Sequence, residues 1–181
     1  MRIIAGRFKG RRLAGPEGAG LRPTSDSLRE TLFNIIGAAV QGTRVLDGFA
    51  GTGALGLEAL SRDAAHVTFV ESDRRALRVL RDNIRRCDAE DATTVIARDF
   101  LLAWRALREP RFDLVLLDPP YDVEDLGAVA GAAAPLLAAN GRLVLEHSRR
   151  REAPAAAGPL QRVRVVVAGD SALSFYDVKT P

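Results

Sequence analysis

The tetrapeptide Asp118-Pro119-Pro120-Tyr121 combines residue types suited to chemistry on a base amine. An exocyclic amine is a poor nucleophile, because its lone pair is delocalised into the ring. The Asp118 carboxylate and the Pro119 carbonyl could accept its two N–H groups and draw the lone pair back to nitrogen. The prolines, which could also be a simple rigid turn, would hold both acceptors, and the Tyr121 ring offers a face for stacking a base. The motif predicts activation of a base amine as a nucleophile, with no metal and no covalent intermediate.

A second candidate site is the glycine-rich segment 47–56. Gly51, Gly53 and Gly56 satisfy the G-x-G-x-x-G pattern of dinucleotide sites, which is a weak signal alone. Asp47 precedes these glycines, where a carboxylate would repel a pyrophosphate but could pair with an ammonium group. S-adenosylmethionine has an amino-acid end and no phosphate, so the segment suits this cofactor better.

Two further acids follow the next two predicted strands. Glu71 could accept both ribose hydroxyls, as an acid does in NAD sites, so it does not separate the two cofactors. Asp99 could bond an adenine amino group, and Phe100 could lie against the ring. Each acid alone could equally be a helix N-cap. Because the carboxyl ends of parallel strands meet at one edge, the three acids together predict an adenosyl-cofactor site.

The elements that must position these residues alternate between apolar strands and amphipathic helices, which predicts a parallel sheet covered on both faces. Strands are expected at 44–47, 66–71, 93–97, 113–117, 142–146, 163–168 and 173–178. Helices are expected at 27–40, 54–62, 74–86, 100–108 and 124–138, the first with a capping box of Ser27 and Glu30. Gly169-Asp170 favours a tight turn between the last two strands. We therefore expect an α/β, Rossmann-like fold with a seven-stranded, mostly parallel sheet and a C-terminal antiparallel hairpin.

Composition indicates a single soluble domain in the cytoplasm. The chain has 181 residues, of which 47% are hydrophobic and 27% charged, as in an average globular protein. The lone Cys87 allows no disulfide framework. No signal sequence is evident in residues 2–12, and the most apolar stretch, 127–139, is too short to span a bilayer.

Basic residues are concentrated at the N-terminus. Residues 1–22 carry a charge of +5, whereas the whole chain carries +3. Such a patch is typical of a polyanion binder. We expect residues 1–22 to form a basic hairpin that contacts RNA, ahead of a catalytic domain at 23–181. The expected RNA contacts there are Arg2, Arg7, Lys9, Arg11, Arg12 and Arg22.

Together these motifs resemble those of class I S-adenosylmethionine-dependent amino-methyltransferases. Further segments are similar to the bacterial RsmD family from residue 2 to about 178, namely 2–6, 10–13, 21–24, 29–34 and 49–62. The resemblance implies methylation of N2 of one guanine in 16S ribosomal RNA of the small subunit, with S-adenosylhomocysteine as product. We also expect a cytoplasmic monomer. Further expected cofactor contacts are Thr24, Phe49, Thr52, Ser72 and Asp118.

Other functions stay open on the residues alone. DNA adenine-N6 methylation uses the same tetrapeptide but usually needs a sequence-reading domain, for which this chain has no room. An NAD-dependent oxidoreductase would need a substrate base and more chain after the sixth strand. A non-catalytic RNA-binding module would leave Asp118-Pro119-Pro120-Tyr121 without a role. Cys87 is poorly placed for a nucleophile, because it is expected at the far end of a polar helix.

Overall fold

The strands form one mixed sheet in this computed structural model, which describes residues 1–15, 26–107, 111–121 and 123–179. They are β1 Arg44–Asp47, β2 His66–Glu71, β3 Thr93–Ala97, β4 Phe112–Leu117, β5 Leu137–Ser148, β6 Ala156–Ala157, β7 Leu160–Ala168 and β8 Ser171–Val178. The order in the sheet is β3-β2-β1-β4-β5-β8-β7-β6. The first five strands of this order are parallel, and the β5–β8, β8–β7 and β7–β6 pairs are antiparallel. The predicted fold class is confirmed. Within the described residues the sheet has eight strands rather than seven, because the two-residue β6 pairs with the start of β7.

The helices are α1 Asp26–Ile36, α2 Ala54–Ser61, α3 Arg74–Arg86, α4 Phe100–Ala103 and α5 Leu126–Ala133. The predicted capping box is wrong: Ser27 lies inside α1, where its carbonyl accepts a hydrogen bond from the Thr31 hydroxyl at 2.9 Å. The last helix is shorter than predicted, because a 3-10 turn containing Pro135 follows it and leads into the 12-residue β5. No helix in the described part of the chain has the length and hydropathy needed to cross a membrane.

The sheet is covered on both faces, as the apolar strands predict. In β4, Leu114 and Leu116 pack in the core on one face, and Val115 and Leu117 in the core on the other. This alternation follows the pleat of a strand buried on both sides. The first core includes α1, α2 and α3, and the second includes α4 and α5.

The N-terminal segment forms a hairpin, as predicted. Arg2 and Arg12 form an antiparallel bridge, and Ile3 N donates to Arg11 O at 3.0 Å. The hairpin is also part of the first core, because Ile3, Phe8 and Leu13 are buried there. The expected division of the chain at residue 22 falls outside the described residues and stays a prediction.

Candidate active site

Parallel strands bring the predicted acids to one edge of the sheet. Asp47 ends β1, Glu71 ends β2 and Asp118 directly follows β4. The carboxylates of Asp118 and Glu71 are close enough to Asp47 for their charges to raise its pKa. The structure therefore brings two of the predicted cofactor acids, Asp47 and Glu71, together with the first residue of the tetrapeptide.

Asp47 is the most deeply buried of these acids, with 1% of its surface exposed. Its Oδ2 accepts a hydrogen bond from Gly56 N at 3.0 Å, while its buried Oδ1 has no hydrogen-bond partner among the described residues. Burial raises the pKa of Asp47 to about 7; the charges of Asp118 and Glu71 act in the same direction, and the Gly56 hydrogen bond opposes them. A cationic donor would therefore find a strong acceptor here.

The glycines that follow Asp47 allow a tight turn into α2. Gly51 and Gly53 have left-handed φ values of 53° and 81°, which side chains rarely adopt. Gly56 permits close packing, since a Cβ there would lie 2.3 Å from the Phe69 ring. The pattern thus serves the backbone path and the contact between α2 and β2.

The hydrogen bond from Gly56 N to Asp47 distinguishes between the two cofactors considered from the sequence, a dinucleotide and S-adenosylmethionine. Gly56 is the third residue of α2, and its N–H is one of those that bind a pyrophosphate in a dinucleotide site. Here a carboxylate of the protein already accepts that N–H. Together with the free Oδ1, this arrangement fits the ammonium group of S-adenosylmethionine and disfavours a pyrophosphate.

Glu71 connects the two loops at this edge. Its Oε2 accepts from Gly51 N at 2.7 Å, and its Oε1 accepts from Ser72 N and Asp73 N at 2.7 Å each. Glu71 is not a helix cap, because Asp73 caps α3 by accepting from Arg75 N and Ala76 N. A carboxylate has about four acceptor positions, so these three bonds still leave capacity for a ligand hydroxyl.

The expected adenine contacts differ in their exposure. Asp99 is exposed and is the N-cap of α4, where it accepts from Leu102 N at 3.3 Å. Phe100 is only 1% exposed and packs against the half-buried Phe49, with the ring centroids 5.2 Å apart. Phe49 is therefore the more accessible ring, and the adenine contact of Phe100 stays a prediction.

The tetrapeptide begins inside the protein and ends at its surface. Asp118 is half-buried, Pro119 is buried, and Pro120 and Tyr121 are exposed. The Tyr121 hydroxyl lies 2.8 Å from Ser171 Oγ, which in turn donates to Glu146 Oε1 at 3.1 Å. Sequence reasoning missed Ser171 and Glu146, because only the antiparallel pairing of β5 with β8 brings them together.

Arg151 supports the segment that follows the tetrapeptide. Its guanidinium donates to the carbonyls of Tyr121 at 3.2 Å, of Glu124 at 2.8 Å and of Val123. The run of three arginines at 149–151 was the only sequence signal for this contact. Arg149 and Arg150 are exposed beside it, at the same edge of the sheet.

Asn83, which sequence reasoning also missed, connects the glycine turn to the N-terminal hairpin. Its Nδ2 donates to the carbonyls of Thr52 at 2.9 Å and Ala14 at 3.0 Å, and its Oδ1 accepts from Ala14 N at 2.7 Å. The side chain is fully buried. Its position in the polar helix α3 gave no signal that distinguishes it from a surface residue.

The predicted RNA contacts on the hairpin are not equivalent. Arg2, Arg7, Lys9 and Arg12 are exposed, whereas Arg11 donates to Asp88 Oδ2 at 2.8 Å and to Arg86 O at 2.7 Å. Asp88 and Arg86 lie at the C-terminal end of α3, whose N-terminal end lies at the site edge. A helix of 13 residues is about 20 Å long, so this part of the hairpin is distant from the tetrapeptide. The predicted contacts Arg22 and Thr24 lie outside the described residues.

Cys87 lies away from this edge of the sheet. It follows the last residue of α3, at the opposite end of that helix from Glu71 and Asp73, and it is buried. Burial raises the pKa of its thiol, which disfavours the thiolate that a nucleophile needs.

The doubly wound sheet, the glycine turn and the acids at the strand ends are those of an S-adenosylmethionine-dependent methyltransferase, as the sequence predicted. The chain belongs to the family described as conserved hypothetical protein 95, whose model matches residues 1–177. Together with the relatives described next, this match confirms the resemblance to the RsmD family and the enzyme class.

Individual relatives agree with this assignment. The solved structure of "Putative methyltransferase yhhF" from Escherichia coli is 34% identical, with a TM-score of 0.87, and the match covers 99% of this chain and 98% of that one. A Bacillus subtilis protein named "Putative rRNA methyltransferase YlbH" is 37% identical over 180 residues, 97% of this chain and 98% of that protein. A Haemophilus influenzae protein named "Ribosomal RNA small subunit methyltransferase D" is 42% identical over 123 residues, 67% of this chain and 64% of that protein.

Proposed function

We propose that the protein transfers the methyl group of S-adenosylmethionine to the exocyclic N2 amine of a guanine in 16S ribosomal RNA of the small ribosomal subunit. The observation that carries this proposal is the proximity of Asp118 to Asp47, because it sets the amine-binding motif beside the cofactor acids. The names of the Bacillus and Haemophilus relatives support ribosomal RNA as the substrate.

The cofactor would be held by groups that the sheet edge already presents. Asp47 Oδ1 would accept from the ammonium group, Glu71 from a ribose hydroxyl and Asp99 from the adenine amine, with Phe49 against the ring. When bound, the cofactor supplies a methyl group made electrophilic by the sulfonium. Further expected contacts are Gly51, Thr52, Gly53, Ser72, Phe100 and Thr24.

The tetrapeptide would act on the base. The Asp118 carboxylate and the Pro119 carbonyl would accept the two N–H groups of the amine, which localises its lone pair for in-line attack on the methyl carbon. The proline at position 119 is buried, so the position of its carbonyl is fixed. The amine loses one proton after transfer, and Asp118 is placed to accept it.

The distribution of basic residues suits a large, folded RNA. Exposed arginines lie both at the site edge, at Arg149 and Arg150, and on the hairpin beside the far end of α3. The hairpin lies beside the end of α3 that is away from the site edge, and α3 is roughly 20 Å long. A structured ribosomal particle can contact both regions at once, whereas a short strand entering the site cannot. A ribosomal substrate implies a cytoplasmic location, and a monomer suffices because one chain carries every named group.

The test is methyl transfer to defined nucleic acids. The purified protein would be incubated with methyl-labelled S-adenosylmethionine and small subunits, naked 16S RNA or duplex DNA, and the nucleosides would be separated by mass spectrometry. We expect N2-methylguanosine from the small subunit or its RNA, formed about 100-fold or more slowly by Asp118→Ala. Label in N6-methyladenosine of DNA would support the DNA enzyme instead, and no label with any substrate would contradict the proposal.

A further inference from the structure

The exposed tetrapeptide tyrosine is tied to the interior by a chain of hydrogen bonds. Tyr121 is 43% exposed, yet its hydroxyl lies 2.8 Å from Ser171 Oγ. Ser171 is 5% exposed and donates to Glu146 Oε1 at 3.1 Å, and Glu146 is 6% exposed. The ring therefore has a free face, while its outer end is fixed to two buried side chains on β8 and β5.

The direction of this chain follows from the proton count. A serine hydroxyl has one proton, and here Ser171 donates it to the Glu146 carboxylate. Ser171 has no second proton to donate, so it accepts a hydrogen bond from Tyr121. The phenol is therefore the donor in the Tyr121–Ser171 hydrogen bond. A phenol that donates into a chain ending at a carboxylate has its O–H bond polarised, which increases the electron density of the ring.

We propose that Ser171 and Glu146 are positioning residues that hold the Tyr121 ring for the target base and enrich its π face, a role that rests on the proposed function. Fixing the hydroxyl end restricts rotation of the ring about its two side-chain torsions, so less freedom is lost when a base stacks on it. The amine gains positive charge as the methyl group is transferred. An electron-rich ring face stabilises that charge, and the chain thus acts on the rate more than on cofactor binding.

A spectroscopic experiment tests the chain without any substrate. The protein contains two tyrosines, so labelling with 3-fluorotyrosine gives two fluorine resonances, and Tyr121→Phe assigns them. Tyr176 is an internal reference for Ser171→Ala, because its hydroxyl donates to Pro154 O at 2.8 Å, whereas Ser174, which also hydrogen-bonds Tyr176, can affect its resonance in the control. We expect Ser171→Ala to shift the Tyr121 resonance. The matched control is Ser174→Ala, whose hydroxyl is also buried on β8 but bonds His147 Nε2 at 2.9 Å, and it should leave the Tyr121 resonance in place.

A kinetic experiment tests the role of the chain. Single-turnover methylation of small subunits at saturating cofactor would be compared for wild type, Tyr121→Phe, Ser171→Ala and the double variant. Each single change should slow the reaction by about 3- to 10-fold, the worth of one hydrogen bond, with unchanged cofactor affinity. The double variant should be no slower than the slower single variant, because both changes break the same chain. Ser174→Ala should keep the wild-type rate.

The outcomes separate this inference from the proposed function. An unshifted Tyr121 resonance in Ser171→Ala, or a double variant whose loss is the product of the single losses, overturns the inference. An active wild type with an unchanged Ser171→Ala rate also overturns it and leaves the proposed function standing. A wild type that methylates neither small subunits nor their naked 16S RNA overturns both. If Ser171→Ala fails to fold, Glu146→Gln tests the chain from its other end, and the same loss of rate at unchanged cofactor affinity is expected.

Discussion

Asp47 Oδ2 accepts a hydrogen bond from Gly56 N at 3.0 Å, so the end of β1 is joined to the third residue of α2. This bond places a carboxylate of the protein at the helix N-terminus, where the helix dipole favours negative charge. The other oxygen, Oδ1, is left for a cation.

The first prediction concerns the pH dependence of cofactor affinity. Burial raises the pKa of Asp47 to about 7, so below that pH the carboxyl is protonated and must release its proton to pair with an ammonium group. Affinity for S-adenosylmethionine should therefore fall as the pH is lowered below about 7, by at most about tenfold per pH unit. Calorimetry between pH 5.5 and 7.5 measures it. Asp47→Asn, the control, should bind more weakly and show a flatter profile, and parallel profiles would remove Asp47 from the ammonium site.

A second prediction concerns the stability of the protein without ligand. The pKa of Asp47 is about 7 in the folded protein, against 3.8 for an unperturbed aspartate, so the folded protein binds more protons between these values and loses stability as the pH rises through them. Asp47→Asn keeps an acceptor for Gly56 and removes the ionisable group. It should therefore stabilise the fold relative to wild type more at pH 8 than at pH 4. Urea unfolding at both pH values measures the difference in unfolding free energy between Asp47→Asn and wild type. An equal difference at the two pH values would show that ionisation of Asp47 does not destabilise the fold.

The third prediction concerns the attachment of the hairpin. Glu58 is fully buried and accepts from Ile4 N at 2.8 Å, Ala5 N at 3.1 Å and Arg62 Nε at 2.9 Å, with Arg29 Nε at 3.7 Å. Glu58→Ala should cost about 3–5 kcal/mol of unfolding free energy, because it leaves the buried Arg29 cation without this partner.

A matched control for this change is Arg85→Ala, which breaks the exposed Arg85–Asp82 pair on α3. It should cost less than about 1 kcal/mol. Denaturant unfolding measures both variants. Similar losses would mean that the buried Glu58 cluster contributes no more than a surface ion pair.

The fourth prediction concerns RNA binding by the hairpin. Deleting it would remove Ile3, Phe8 and Leu13 from the core, so point substitutions are the informative test. The double change Arg7→Ala with Lys9→Ala removes two exposed charges. The salt dependence of binding to small subunits should flatten by about 1.4 to 1.8 in log–log slope, with cofactor affinity unchanged. Arg164→Ala, an exposed change on β7, controls for the loss of a surface cation outside the hairpin. An unaltered slope in the double variant would mean that Arg7 and Lys9 do not contact RNA.

The sequence predicted most of the sheet, because apolar strands that end in acids are local patterns. Asp47, Glu71 and Asp118 meet simply because parallel strands share a carboxyl edge. The roles of Asn83, Ser171 and Glu146 could not be predicted in this way, since each depends on contacts between elements distant in sequence. The burial of the hairpin was missed for the same reason, because Ile3, Phe8 and Leu13 share a core with residues of α1, α2 and α3 that are distant in sequence.

The last prediction concerns the effect of Asp118 on both the methylation rate and the pKa of Asp47. Asp118→Ala should bind S-adenosylmethionine and small subunits and lose about 100-fold or more in single-turnover methylation, by analogy with the loss of one preorganised group in an oxyanion hole. The interaction strengthens as the amine lone pair localises, so the rate falls and the affinities do not. The charge of Asp118 also contributes to the raised pKa of Asp47. The pH midpoint of cofactor affinity in Asp118→Ala should therefore move below that of wild type, which calorimetry over pH 5.5 to 7.5 measures. A wild-type rate would remove Asp118 from the mechanism, and an unmoved midpoint would show that the two carboxylates are not electrostatically coupled.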